Sequence, residues 1–114
     1  MTDATPRFVF PYEAKSGHTP FTEWVDSFGD ESAIGALIVA RVERIEAGNF
    51  ANCQSAGRGV SELKIDVGPG YRIYFGELGD IVVLLNGGDK STQDADITKA
   101  HKLWEEFKSR DEHD

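Results

Sequence analysis

Val60-Ser61-Glu62-Leu63-Lys64-Ile65-Asp66-Val67, then Gly68-Pro69-Gly70, then Tyr71-Arg72-Ile73-Tyr74-Phe75 is the stretch that decides the fold. Leu63, Ile65 and Val67 alternate with Glu62, Lys64 and Asp66, the period of two that a half-buried strand requires. Gly68-Pro69-Gly70 reads as a turn, because glycine supplies positive φ and proline presets the bend. Beyond it Tyr71, Ile73 and Phe75 alternate against Arg72 and Tyr74. Gly76 to Asp80 forms a second hairpin loop. Ile81-Val82-Val83-Leu84-Leu85 is uniformly apolar, as for a central strand with neighbours on both sides and cover on much of both faces.

Upstream, the period is 3.6. Phe21, Trp24, Val25 and Phe28 fall at i, i+3, i+4 and i+7, with Thr19 expected to cap this helix and Pro20 suited to its first position. Gly29 ends it. Asp30 is expected to cap a second helix whose apolar stripe is Ile34, Leu37, Ile38, Val42 and Ile45, and Gly48 terminates that one. So short a joint predicts an antiparallel helical hairpin. Before it, Arg7 to Tyr12 reads as a short strand that Pro11 confines to a sheet edge. Downstream, Ser91 and Asp94 resemble a capping pair, and Ile97, Ala100, Leu103, Trp104 and Phe107 form the stripe of a last helix. The order β-α-α-β-β-β-α defines an α+β fold: an antiparallel sheet backed by a helical hairpin and a C-terminal helix.

The chain has 114 residues, 39% apolar and 28% charged, which fits one globular domain over residues 1–114 with a polar tail, 109–114, expected to fray. Its net charge is −8, which opposes broad electrostatic attraction to nucleic acid or anionic lipid. The acids concentrate toward the ends: residues 1–31 hold six against two bases, and residues 105–114 hold five against two. One cysteine, Cys53, excludes an internal disulfide and suits a reducing compartment. The opening residues have neither basic residues nor an apolar run, and the longest apolar run is far below the ~20 residues of a membrane helix. A cytoplasmic protein with no membrane contact is expected.

Gly59 to Asp66, Gly68 to Phe75 and Leu84-Leu85-Asn86-Gly87-Gly88-Asp89-Lys90-Ser91-Thr92-Gln93-Asp94-Ala95-Asp96-Ile97, with Gly48-Asn49-Phe50 after the second helix, closely resemble the "addiction module killer" family. This phage-derived, HigB-like family belongs to the RelE/ParE superfamily of toxins from type II toxin–antitoxin systems, and the likeness runs from about Phe21 to Phe107. It implies a RelE-like fold and a toxin held inactive by a cognate antitoxin. RelE and HigB relatives are mRNA interferases, cleaving messenger RNA on the ribosome. ParE relatives inhibit DNA gyrase. The resemblance implies neither a metal nor a small-molecule cofactor.

On the nuclease reading, Arg72 matches the arginine that stabilises the reacting phosphate, Lys90 a basic position after the last strand, and Lys64 a lysine on the preceding one. A pentavalent phosphate gains negative charge, and fixed cations beside it lower the barrier without reorganising. Arginine suits this best, because its fork holds two oxygens and never deprotonates. Tyr74, Lys64, Asp89 and Asp96 are the candidates for moving protons. RelE-type enzymes carry a tyrosine in their last segment, where this chain has Asp96. Glu62 and Asp66 flank Lys64 on the same strand face, and Arg72 could instead pair with either. Two alternatives therefore stand beside the endoribonuclease: a toxin that binds a protein target such as gyrase, and an attenuated toxin-like interaction module. The glycines at 68, 70, 87 and 88 read as turn residues, the aspartates at 89, 94 and 96 as caps and solvated charge, and Cys53 as inert.

Overall fold

The computed structural model describes residues 5–112. The elements are β1 (Phe8–Pro11), α1 (Pro20–Asp26), α2 (Ala33–Glu46), β2 (Cys53–Gly57), β3 (Val60–Ile65), β4 (Tyr71–Leu78), β5 (Ile81–Asp89), a 3-10 turn at Lys90–Thr92, and α3 (Gln93–Glu112). Five strands form one sheet in the order β1-β5-β4-β3-β2. The fold is α+β, with three helices.

Two expectations about the sheet are corrected. It is mixed rather than antiparallel, because β1 runs parallel to β5, with Phe8 opposite Ile81 and Pro11 opposite Leu84. It also gains β2, which pairs antiparallel with β3. Cys53-Gln54-Ser55-Ala56-Gly57 has no run of β-branched or aromatic residues, so its strand state comes from pairing rather than propensity. The continuous apolar strand does sit inside the sheet, between β1 and β4, and Pro11 does lie in an edge strand.

The sheet is covered on both faces. On one, Phe21 of α1 and Ile38 and Ile45 of α2 pack with Leu63, Ile65, Ile73, Phe75, Val82 and Leu84. On the other, Ala100 and Trp104 of α3 pack with Tyr12, Val60, Tyr74, Val83 and Leu85. Each face has a tryptophan lying flat against a strand glycine. A Cβ on Gly87 would overlap the Trp24 ring, and one on Gly76 would overlap the Trp104 ring.

The caps also differ from expectation. Ser32, not Asp30, caps α2, its hydroxyl accepting from the Gly35 amide at 2.8 Å. Thr19 is the N-cap residue of α1 but its side chain makes no capping bond. At the entry to α3 the cap is Asp89, whose carboxylate accepts from the Ser91 amide at 2.8 Å, with Thr92 completing the box in place of Ser91 and Asp94. The stripe of α3 is as expected, and the helix continues to Glu112. Arg110 holds that end down, bonding Glu106 and the Glu13 carbonyl; residues 113–114 lie outside the described residues.

Candidate functional site at the junction of the sheet and α3

Alternation along β3 and β4 sends Glu62, Lys64, Arg72 and Tyr74 to the face that α3 covers. Register sets Glu62 opposite Tyr74 and Lys64 opposite Arg72. The apolar stripe of α3 rests on the Val60 end, so its first turn closes over the polar end. Glu62 and Arg72 are thereby only 2% and 5% exposed, with Arg72 Nε 3.5 Å from Glu62 Oε2.

Glu62 is held from two more directions. Gln54 Nε2 donates to its Oε1 at 3.1 Å, and Gln93 Nε2, at the start of α3, donates to Oε2 at 2.9 Å. Arg72 Nη1 donates to the Gly70 carbonyl at 2.8 Å, while its Nε lacks a hydrogen bond of good geometry. The Tyr74 hydroxyl is buried without a hydrogen-bond partner among the described residues. Burial first, then the Glu62 carboxylate, pushes its pKa up, so the phenol keeps its proton at neutral pH.

A β-bulge completes the cluster. Tyr74 pairs with Asn86 but Phe75 with Leu84, which leaves Leu85 as an extra residue in β5. Leu85 packs on the α3 side, and so does the next side chain, Asn86, whose Nδ2 donates to the Asp96 carbonyl at 3.0 Å. Without the bulge Asn86 would face α1. Bulges re-aim side chains in this way beside functional sites. Asp96 itself accepts from Thr92 Oγ1 and lies so close to Gly88 that a Cβ there would overlap its carboxylate.

The positions singled out from the sequence fall into two groups. Arg72 and Tyr74 are inside the cluster. Lys64 is at its rim, 3.7 Å from Asp66 and half exposed. Lys90 opens the 3-10 turn, exposed and without an ion pair among the described residues. The rim closes on itself, since a Cβ at Gly70 would lie 3.3 Å from Arg72 Nη1 and 3.8 Å from Lys90 Cβ. Asp89 caps the turn, its pKa drawn down mainly by the Ser91 hydroxyl. Glu62 was visible in the sequence as a carboxylate near Arg72, but not its burial. Gln54 carried no sequence signal, and Asn86 and Gln93 stood only within the stretch that carries the family resemblance, with no role of their own. Elsewhere, burial pushes the half-buried Cys53 thiol up to about 11, so it is not a ready nucleophile.

A buried ion pair is a costly way to fill space. Desolvating both charges takes several kcal/mol, and well-packed apolar residues often serve stability as well or better. Three buried polar atoms without hydrogen bonds, Arg72 Nε, Tyr74 Oη and Asn86 Oδ1, add to that cost. Its cost to stability makes this cluster the candidate functional site of the fold.

Fold and site together define a small α+β protein whose mixed sheet lies between helices on both faces and buries a carboxylate–guanidinium centre under its last helix. The chain is 45% identical over 88 residues to an uncharacterized protein of Haemophilus influenzae, an alignment covering 76% of this chain and 88% of that one. It belongs to the same family as that protein. No family model matches the chain, and no solved structure matches it. Among the described residues, no helix is long and apolar enough to cross a membrane.

Proposed function

We propose that this chain is the toxin of a type II toxin–antitoxin pair in the RelE/ParE superfamily, with a RelE-like core, and that it cleaves messenger RNA on the ribosome. The observation that carries this reading is the gathering of Arg72, Lys64 and Lys90 from three elements at one end of the sheet, with a carboxylate beside the arginine. These are the only basic residues between Gly59 and Thr98, so an RNA backbone gripped there must use them.

The arrangement supplies what phosphodiester transfer needs. Glu62 accepts the proton of the 2′-hydroxyl as that oxygen bonds to phosphorus. Arg72 stabilises the charge gathering on the phosphate oxygens. Tyr74, still protonated, donates to the 5′-oxygen as its bond to phosphorus breaks. The products are a 2′,3′-cyclic phosphate and a free 5′-hydroxyl. Positioned proton carriers and fixed charge contribute ~10²–10⁴ each in rate. Because Glu62 and Arg72 are covered, Gln93 has to leave Glu62 before a strand can reach them, and the cognate antitoxin works by keeping this end closed or capped.

One observation favours a second reading. Arg72 is buried and neutralised by Glu62, and Lys64 pairs with Asp66, which leaves Lys90 as the exposed cation of the three without an ion pair among the described residues. A toxin that binds a protein target such as gyrase, or an attenuated interaction module, needs no more than that. Inducing the chain in a bacterium, alone and with its neighbouring gene, decides between them. The nuclease reading expects growth arrest, relief by the neighbour, and new transcript ends within translated regions. A folded Arg72→Gln, Lys90→Ala variant should lose arrest. Full arrest by that variant with no new transcript ends would overturn cleavage in favour of protein binding.

A further inference from the structure

The turn between β2 and β3 contains an outlier. Arg58 and Gly59 are its two central residues, both with positive φ, 53° and 82°. A two-residue hairpin of this kind favours asparagine, aspartate or glycine at the first position. An arginine there holds a left-handed backbone at a cost of about 1 kcal/mol. Glycine or asparagine would form the turn at less cost.

The Arg58 side chain lines an open cleft of about 410 Å³ with Thr98, His101, Lys102 and Glu105 of α3. His101 Nε2 lies 2.9 Å from the Ala56 carbonyl and ties α3 to β2, so the cleft wall is fixed. Arg58 and Lys102 make no ion pair and no side-chain hydrogen bond among the described residues, whereas Glu105 is engaged by Lys108 at 3.3 Å. Two unpaired cations converge on one cleft in a chain of net charge −8. With a screening length of ~8 Å in physiological salt, the acids at the chain ends do little to cancel them locally.

We propose that this cleft is a phosphate-binding site, in which the Arg58 guanidinium and the Lys102 ammonium take the phosphodiester of a single-stranded RNA. The guanidinium fork matches two phosphate oxygens, and lysine adds a point charge. Gly59 is five residues from Lys64 along β3, roughly 17 Å at ~3.3 Å per residue, and α3 spans both places. A strand seated at the Arg72 centre therefore reaches this cleft several nucleotides away. That the phosphate belongs to RNA rests on the function proposed above; the affinity of the cleft for phosphate does not.

The test uses the full chain, inorganic phosphate and a short oligouridine. Arg58→Gly removes the guanidinium while relieving the positive φ, so its melting temperature should hold or rise. Lys102→Ala changes an exposed helix position to the best helix former. Phosphate should shift the His101 ring resonances in the native chain and not in the double variant. Oligouridine should bind the double variant roughly tenfold more weakly, with a log–log salt slope shallower by about 0.7 per lost contact. Unchanged oligouridine affinity and slope in the double variant would overturn the proposal. So would displacement of oligouridine by an acidic peptide but not by phosphate, which would assign the cleft to a protein partner. Phosphate shifts without oligouridine binding support the site but make its ligand a free phosphate. These readouts are independent of growth arrest: a chain that arrests nothing yet loses phosphate binding on Arg58→Gly keeps the cleft and loses the toxin.

Discussion

The two faces of the sheet use the same alternation to opposite ends. Under α1 and α2, the buried residues of β3, β4 and β5 are all apolar, from Leu63 and Ile65 through Ile73 and Phe75 to Val82 and Leu84. Under α3, the face is apolar only at the Val60 and Val83 end and turns polar at Glu62, Arg72 and Asn86. The first face accounts for stability, since burying each large apolar side chain gains ~1.5–3 kcal/mol. The second gives some of that up to keep charge, hydroxyl and amide together out of water. A helix that seals apolar residues at one end and polar residues at the other is attached most weakly over the polar end, which is where the RNA strand proposed above would have to enter.

The sharpest way to break this comparison is to cut each face once. Phe75→Ala on the apolar face should cost ~3–5 kcal/mol, read by denaturant unfolding, because the cavity adds to the lost transfer energy. Removing Arg72 alone should approach that loss, since it leaves Glu62 buried without its counter-charge. Replacing the pair together, Glu62→Leu with Arg72→Met, should leave stability unchanged or higher while abolishing growth arrest. If the double replacement were as damaging as Phe75→Ala, the polar end would be a structural pillar and the contrast between the faces would fail.

Much of the apolar face was legible in the sequence, and little of the polar one. Periods of two and 3.6 located β3, β4, β5, α2 and α3, because burial imposes those periods directly. Alternation also put Arg72 and Tyr74 on one side together. It did not reveal that α3 buries that side, because an isolated strand pattern cannot tell a polar face in water from a polar face under a helix. The bulge at Leu85 was invisible for a related reason: one extra residue within an apolar run leaves its composition unchanged, yet it turns Asn86 around. The strand β2 and the Ser32 cap were missed because pairing and local geometry override propensity at short, polar segments.

A smaller effect measures how tightly the polar end is closed. Gly88→Ala would set a Cβ into the Asp96 carboxylate and should cost ~1–3 kcal/mol by overpacking. Because Asp96 shares its turn with Gln93, the first turn of α3 should lift from Glu62. Faster amide exchange at residues 93–97, with the rest of α3 still protected, is the expected signature. Uniform exchange along the whole helix would mean that α3 moves as one rigid piece and that the polar end has no independent hinge.

The smallest expected effect comes from the far end of α3, where polar contacts are open to water instead of buried. There Glu106 accepts from Arg110 and from the Tyr12 hydroxyl. The Arg110 guanidinium first, and then that hydroxyl, hold the Glu106 carboxyl down at about 2, against an ordinary 4.5. A carboxyl depressed in the folded state adds stability that is fully present above its ordinary value and is lost as pH falls toward the depressed one. The window is therefore pH 4.5 down to about 2. Both side chains are about one-third exposed, so solvent screening limits the gain to ~1 kcal/mol or less. Glu106→Gln should flatten the acid limb of the stability curve by that amount and leave RNA affinity unchanged. A loss as large as that expected for Arg72 would mean that α3 is held mainly by its distal end, and that the polar cluster is closed by leverage rather than by its own contacts.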